Sequence, residues 1–106
     1  LLRRSRDREG KLLEVIKLPM PPARLDVIRG EKRRLPGSYA NFYIGNTVVL
    51  VPAFGCSNDE VALRIIQGLF PQRKAVSVDC SDLIYGSGTL HCITQQQPAA
   101  EGLRFL

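Results

Sequence analysis

The sequence predicts an α+β domain in which one helix packs on a mixed sheet. Three observations carry that expectation. Two β-prone runs, residues 38–44 and 47–51, flank Gly45-Asn46, a pair suited to the positive φ of a tight hairpin. Ala62, Ile65, Ile66 and Leu69 then recur at spacings of three and four, the stripe of an amphipathic helix. A short run, Ala75-Val76-Ser77-Val78-Asp79, follows and reads as a strand. Residues 38–79 thus form a β-β-α-β unit.

In chain order, Glu14-Val15-Ile16-Lys17-Leu18 reads as a strand, stopped by Pro19, Pro21 and Pro22, which cannot donate to a ladder. Residues 23–38 are charged, hold Gly30, Pro36 and Gly37, and read as a long connection. Thr47-Val48-Val49-Leu50-Val51 is apolar on both faces and is expected to be a buried central strand. Ser57, Asn58 or Asp59 caps the helix, and Pro71 ends it. Ser81–Tyr85 gives at most one helical turn, and Gly86-Ser87-Gly88 breaks the chain. Thr89–Thr94 reads as a strand opening a second unit that nothing downstream completes, which leaves about one and a half units and a weak tail.

A chain of 106 residues is one domain in size, and 44% hydrophobic content excludes disorder throughout. No apolar run is long enough to span a membrane. The opening, Leu1-Leu2-Arg3-Arg4-Ser5-Arg6, lacks an apolar stretch, so no secretory signal is expected, and it lacks Met, which points to a start inside a longer reading frame or to trimming. The sequence divides into a basic segment, 1–13, and a domain, 14–106. Residues 1–34 hold eleven Lys/Arg against five Asp/Glu, and the remainder four against five. A nucleic-acid reading would use Arg3, Arg4, Arg6, Arg8, Lys32, Arg33 and Arg34, but no aromatic residues interleave the basic stretch for base stacking.

Cys56, Cys80 and Cys92 are odd in number and form no Cys-x-x-Cys pair, so neither a disulfide framework nor a zinc site is indicated. No cofactor or metal is implied. Spare thiols fit a reducing, cytoplasmic compartment. Cys92 is the candidate nucleophile, because it follows a glycine-rich turn and lies beside His91, Thr89 and Thr94. A nucleophilic thiol needs convergent donors or a cation and a backbone small enough to admit substrate. A strand here would send His91 and Cys92 to opposite faces, so His91 is a poor base for its neighbour.

Four motifs then resemble one family. Ser38-Tyr39-Ala40-Asn41-Phe42-Tyr43, Val51-Pro52-Ala53-Phe54, Phe70-Pro71-Gln72-Arg73 and Gly88-Thr89-Leu90-His91-Cys92-Ile93-Thr94-Gln95-Gln96 are similar to the C-terminal part of agmatine deiminases, including the Porphyromonas-type peptidylarginine deiminases. The likeness runs from about Glu14 to Pro98. It implies part of a pentein fold, a pseudosymmetric propeller of β-β-α-β units. It also implies that Cys92 attacks a guanidinium carbon, that ammonia leaves, and that water resolves the thiouronium to a ureido product. For agmatine that product is N-carbamoylputrescine. Asn41 matches a site asparagine, and Gly86 and Gly88 match the small residues ahead of the nucleophile.

The resemblance also implies what is missing. The family uses a further histidine as general acid/base and two carboxylates on the guanidinium, all in upstream units. His91, the only histidine, matches the residue beside the nucleophile, and Asp79 and Asp82 do not match the binding positions. The chain is therefore expected to carry the nucleophile yet be inactive alone. It is also expected to self-associate through sheet edges left unpaired. A non-enzymatic, self-associating module or gene remnant is the alternative. Agmatine and peptidyl-arginine remain equally open as the parent substrate.

Overall fold

A central apolar strand organises the molecule. The computed structural model describes residues 1–28, 30–86 and 88–98. Ser87 of the glycine-rich break and the weak tail, residues 99–106, lie outside them. Two sheets are present among the described residues. One is a hairpin of β1 (Leu25–Ile28) and β2 (Glu31–Arg34). The other has the order β3-β4-β5, where β3 is Tyr43–Ile44, β4 is Val48–Ala53 and β5 is Lys74–Asp79. Helix α1 (Asn58–Leu69) joins β4 to β5.

Strand β4 is central, as its run of apolar residues requires. It pairs antiparallel with β3, matching Tyr43 to Leu50 and Ile44 to Val49. It pairs parallel with β5 from Val48–Lys74 to Ala53–Asp79. The turn between β3 and β4 closes with the Gly45 N–H donating to the Val48 carbonyl at 2.8 Å. A parallel neighbour needs a crossover, and α1 supplies it. The expected β-β-α-β unit over 38–79 is present, with the mixed sheet and packed helix.

Two buried clusters hold these elements. Val49, Val51 and Ile66 form one, flanked by Leu18, Phe42, Leu63, Phe70 and Ala75. Leu35, Tyr39, Phe54, Ala62, Cys80, Ile84 and Leu90 form the other. On α1, Ala62 and Ile66 are fully buried, whereas Leu69 is 47% exposed. The expected stripe therefore stops one turn early. Phe70, just past the helix, fills the place expected of Leu69 and meets Phe42 edge-on, with ring centroids 5.9 Å apart.

The chain after the helix is tied by side chains of its own. Gln67 Nε2 donates to the carbonyls of Phe70 at 3.2 Å and Arg73 at 2.8 Å, while its Oε1 accepts the Ala75 N–H at 2.9 Å. Arg73 Nε donates to the Gly45 carbonyl at 2.9 Å, so the start of β5 is fastened to the hairpin turn. The helix end itself is closed by the Phe70 N–H, which donates to the carbonyls of Ile66 at 3.2 Å and Gln67 at 3.3 Å.

Three sequence expectations fail. Glu14–Leu18 pairs with no strand among the described residues; Leu18 packs against both clusters, and Asn58 Nδ2 holds the following segment through the Met20 carbonyl at 2.8 Å. Residues 23–38 are a hairpin and not a connection, closed through Gly30 at φ +80°. Its second strand, Glu-Lys-Arg-Arg, is exposed throughout and so has no hydrophobic alternation to reveal it. Arg24 anchors the hairpin, its guanidinium donating to the carbonyls of Phe54 at 2.8 Å and Ser81 at 3.2 Å. Third, Thr89–Thr94 is not a strand. Leu83–Gly86 and His91–Ile93 are short 3₁₀ turns, so among the described residues one unit stands and no second begins.

The difference between Ile66 and Leu69 is measurable. Ile66→Ala is expected to cost about 2–5 kcal/mol of unfolding free energy, and Leu69→Ala less than about 1 kcal/mol. Urea denaturation of the two variants checks the pair. Equal losses would restore the longer stripe.

Candidate active site

The residues that converge here come from the start of the unit and from the segment that follows it. Asn41 follows a turn at Ser38–Asn41, in which the Asn41 N–H donates to the Ser38 carbonyl at 3.3 Å and the Ala40 N–H to Ser38 Oγ at 3.2 Å. Cys92 sits at the middle of the 3₁₀ turn His91–Ile93 and is exposed. The two are 51 positions apart in sequence. Asn41 Nδ2 donates to Cys92 Sγ at 3.0 Å, and the Cys92 N–H donates back to Asn41 Oδ1 at 3.2 Å. The His91 N–H also donates to the Asn41 carbonyl at 3.3 Å. One asparagine thus holds both the sulfur and the backbone of the turn that carries it.

Gly88 explains why this turn folds back rather than running on as a strand. A β-carbon at Gly88 would lie 2.7 Å from Cys92 Cβ and 2.9 Å from Cys92 Sγ. Only a glycine lets the backbone approach this closely. Ile93 and Thr94 N–H groups then donate to the carbonyls of Leu90 at 3.2 Å and His91 at 3.1 Å, closing the turn. The opposite-faces argument for His91 therefore lapses with the strand. His91 is exposed, and its main chain is what engages Asn41. Gly86 ends the preceding 3₁₀ turn, and a β-carbon there would meet nothing within 4 Å. The structure brings together Cys92, Asn41 and Gly88, but not Gly86.

Behind Asn41 lies a network that sequence reading did not isolate. Tyr39 is fully buried and meets Phe54 edge-on at 5.5 Å. Its hydroxyl donates to Asp59 Oδ1 at 2.7 Å, and Cys56 Sγ lies 3.1 Å from the Tyr39 hydroxyl oxygen. Burial, followed by the contacts with Cys56 and Asp59, pushes the Tyr39 hydroxyl well above its ordinary value, so it stays neutral and donates. Asp59 also accepts the N–H groups of Phe54 at 3.0 Å, Gly55 at 2.9 Å and Cys56 at 3.1 Å. Burial by itself would raise the Asp59 carboxyl, but the bonds from Tyr39, Phe54 and Cys56 outweigh it and hold it below its usual range. Asp59 was one of three candidate caps for α1. The carboxylate caps backwards, onto the loop entering the helix, while Ser57 makes no side-chain cap bond.

Cys80 and Asp79 are engaged away from Cys92. Cys80 is buried, which pushes its thiol up. Asp79 is held below its usual range by the Ser81 hydroxyl, at 2.6 Å, and the Ser81 N–H. Among the described residues no group of three or more His, Cys, Asp or Glu could hold a metal ion, and no helix is long and apolar enough to cross a membrane.

The fold and site define a β-β-α-β unit bearing an exposed thiol under an asparagine amide, and comparison shows where such units occur. Solved deiminases match it over part of their pentein fold. An Enterococcus faecalis agmatine deiminase has 35% identity and a TM-score of 0.81 over 92% of this chain and 30% of its own. A Porphyromonas gingivalis protein of arginine deiminase type has 42% identity and a TM-score of 0.82 over 92% of this chain and 27% of its own. A C. jejuni agmatine deiminase, solved with substrate bound, matches 79% of this chain at 30% identity and a TM-score of 0.63.

The model of the Porphyromonas-type peptidyl-arginine deiminase family matches residues 1–98, and this chain belongs to that family. A Lactococcus lactis relative of agmatine deiminase type is 40% identical over 94% of this chain. The chain spans 31% of that relative's length.

The two glycines should separate in mutants. Gly88→Ala is expected to displace Cys92 and cost about 1–3 kcal/mol through overpacking, while Gly86→Ala stays within about 0.5 kcal/mol. Denaturation with mass-spectrometric mapping of iodoacetamide adducts at Cys92 checks both. Indistinguishable variants would show that the close approach at Gly88 is not a constraint.

Proposed function

We propose that this chain is the nucleophile-bearing C-terminal portion of an agmatine deiminase-type amidinohydrolase. The observation that carries the reading is the 3.0 Å contact between Asn41 Nδ2 and Cys92 Sγ, made on an exposed thiol with a glycine packed against it. An amide N–H on sulfur and an open approach are what a thiol nucleophile requires. The sulfur of Cys92 attacks the guanidinium carbon of agmatine, and the carbon–nitrogen bond breaks as ammonia leaves with a proton. Water then adds to the thiouronium carbon, the carbon–sulfur bond breaks, and N-carbamoylputrescine departs. Asn41 orients the sulfur, and Gly88 admits the planar substrate.

The remaining chemistry lies outside this chain. Planar guanidinium recognition needs paired carboxylates, yet Asp79 is committed to Ser81 and Asp59 to Tyr39 and the helix-entry loop. Loss of a general acid alone removes about 10²–10⁴ in rate. The chain by itself is an inherited nucleophile in an incomplete, cytoplasmic site. Among the described residues strand β5 pairs only with β4, and two-residue β3 is the opposite edge, so both edges of the sheet are open there. Such edges template pairing, and the chain self-associates through them.

Ammonia release from agmatine, compared with Cys92→Ala, tests the reading. The expected rate equals that of the variant. Release that depends on Cys92 would show that self-assembly supplies the missing acid and carboxylates. Sedimentation at tens of micromolar is expected to show species larger than a monomer, and a purely monomeric profile would remove the self-association.

A further inference from the structure

We propose that Tyr39 and Asp59 are positioning residues for Cys92, acting through Asn41. The proposal rests on the reading of Cys92 as the nucleophile. Among the described residues neither Tyr39 nor Asp59 bonds to Cys92; each sits one step behind the residue that does. Tyr39 is held at both ends. Its ring is fully buried against Phe54, and its hydroxyl ends on Asp59 Oδ1 at 2.7 Å. A tyrosine fixed in this way has little freedom at either side-chain torsion, so the direction of its main chain is fixed too.

Two residues later that main chain delivers Asn41. The intervening turn is short and closed by two bonds to Ser38, which leaves little slack between the Tyr39 ring and the Asn41 amide. Asn41 then spends its side chain and carbonyl on Cys92 and His91. The carboxylate at the far end is itself immobile. Asp59 is held by the N–H groups of Phe54, Gly55 and Cys56 and stands on the first turn of α1. The position of the sulfur is therefore referred through Asn41 and Tyr39 to the hydrogen-bonded junction of β4 and α1. Removing the hydroxyl in Tyr39→Phe keeps the buried ring but leaves an Asp59 oxygen without its donor.

The experiment is the rate of iodoacetamide alkylation at Cys92, mapped by mass spectrometry, in the wild type, Tyr39→Phe, Asn41→Ala and the double variant. Glu60→Gln, on α1 but outside the network, is the control. Labelling is run in trimethylamine N-oxide, which favours the compact state, with protection of buried Cys80 as the check on folding. Tyr39→Phe is expected to change the Cys92 rate about two- to tenfold, the worth of one net hydrogen bond. It is expected to add nothing in the Asn41→Ala background, because the effect passes through Asn41.

A change at Asn41→Ala with none at Tyr39→Phe overturns the positioning role and leaves the nucleophile reading standing. Additive effects overturn it as well, because Tyr39 would then act by some other route. If neither variant moves the rate and Cys92 reacts no faster than a cysteine in the urea-unfolded chain, both the positioning role and the nucleophile reading fall.

Discussion

The carboxylate of Asp59 is the constraint on which the rest of the unit depends. It accepts three consecutive backbone N–H groups, those of Phe54, Gly55 and Cys56, and the hydroxyl of Tyr39. The loop leaving β4 must reverse into α1 within a few residues, which turns three of its N–H groups toward one point. One side chain satisfies them together, at the helix end where negative charge is favoured. Phe54 is thereby turned inward against Tyr39, so a local cap becomes a tertiary contact.

The site follows from that arrangement. Tyr39 sets the turn, the turn presents Asn41, and Asn41 gathers a segment 51 residues away. At the other end of the sheet Gln67 and Arg73 do the corresponding work, fastening the chain after α1 to β5 and to the hairpin turn. The quoted motifs thus include positions that hold the two ends of the β4–α1–β5 crossover in register. The thiol is at the surface, but the groups that orient it rest on the buried core.

How much of this was legible in the sequence depended on hydrophobic contrast. Strand β4, helix α1 and strand β5 were readable because Val49, Val51, Ala62 and Ile66 recur with the period of their element. Strand β2 was not, since Glu31–Arg34 is charged and exposed on both faces. Glu14–Leu18 has the composition of a strand and no partner to pair with among the described residues. Thr89–Thr94 misled for a different reason: β-branched and apolar residues suit a strand, but the close approach of Gly88 to Cys92 bends the chain into a turn. Of the site, Cys92, Asn41 and Gly88 could be singled out in advance through family resemblance. The pairing of Tyr39 with Asp59 could not, because it joins residues 20 positions apart that no local pattern connects.

Stability against pH, compared between the wild type and Asp59→Asn, tests the central place of this carboxylate. Its folded value is lowered, so its contribution is complete above the ordinary carboxylate range near about 3.9 and is lost as pH falls through the folded value. The account predicts that Asp59→Asn is less stable than the wild type at pH 7, with a gap that closes as pH drops below about 4. Asp79, whose folded value is also lowered, contributes slope that survives in the variant. A gap of the same size at pH 7 and at pH 3 would contradict it, because the ionised form of Asp59 would then contribute nothing that its amide replacement lacks.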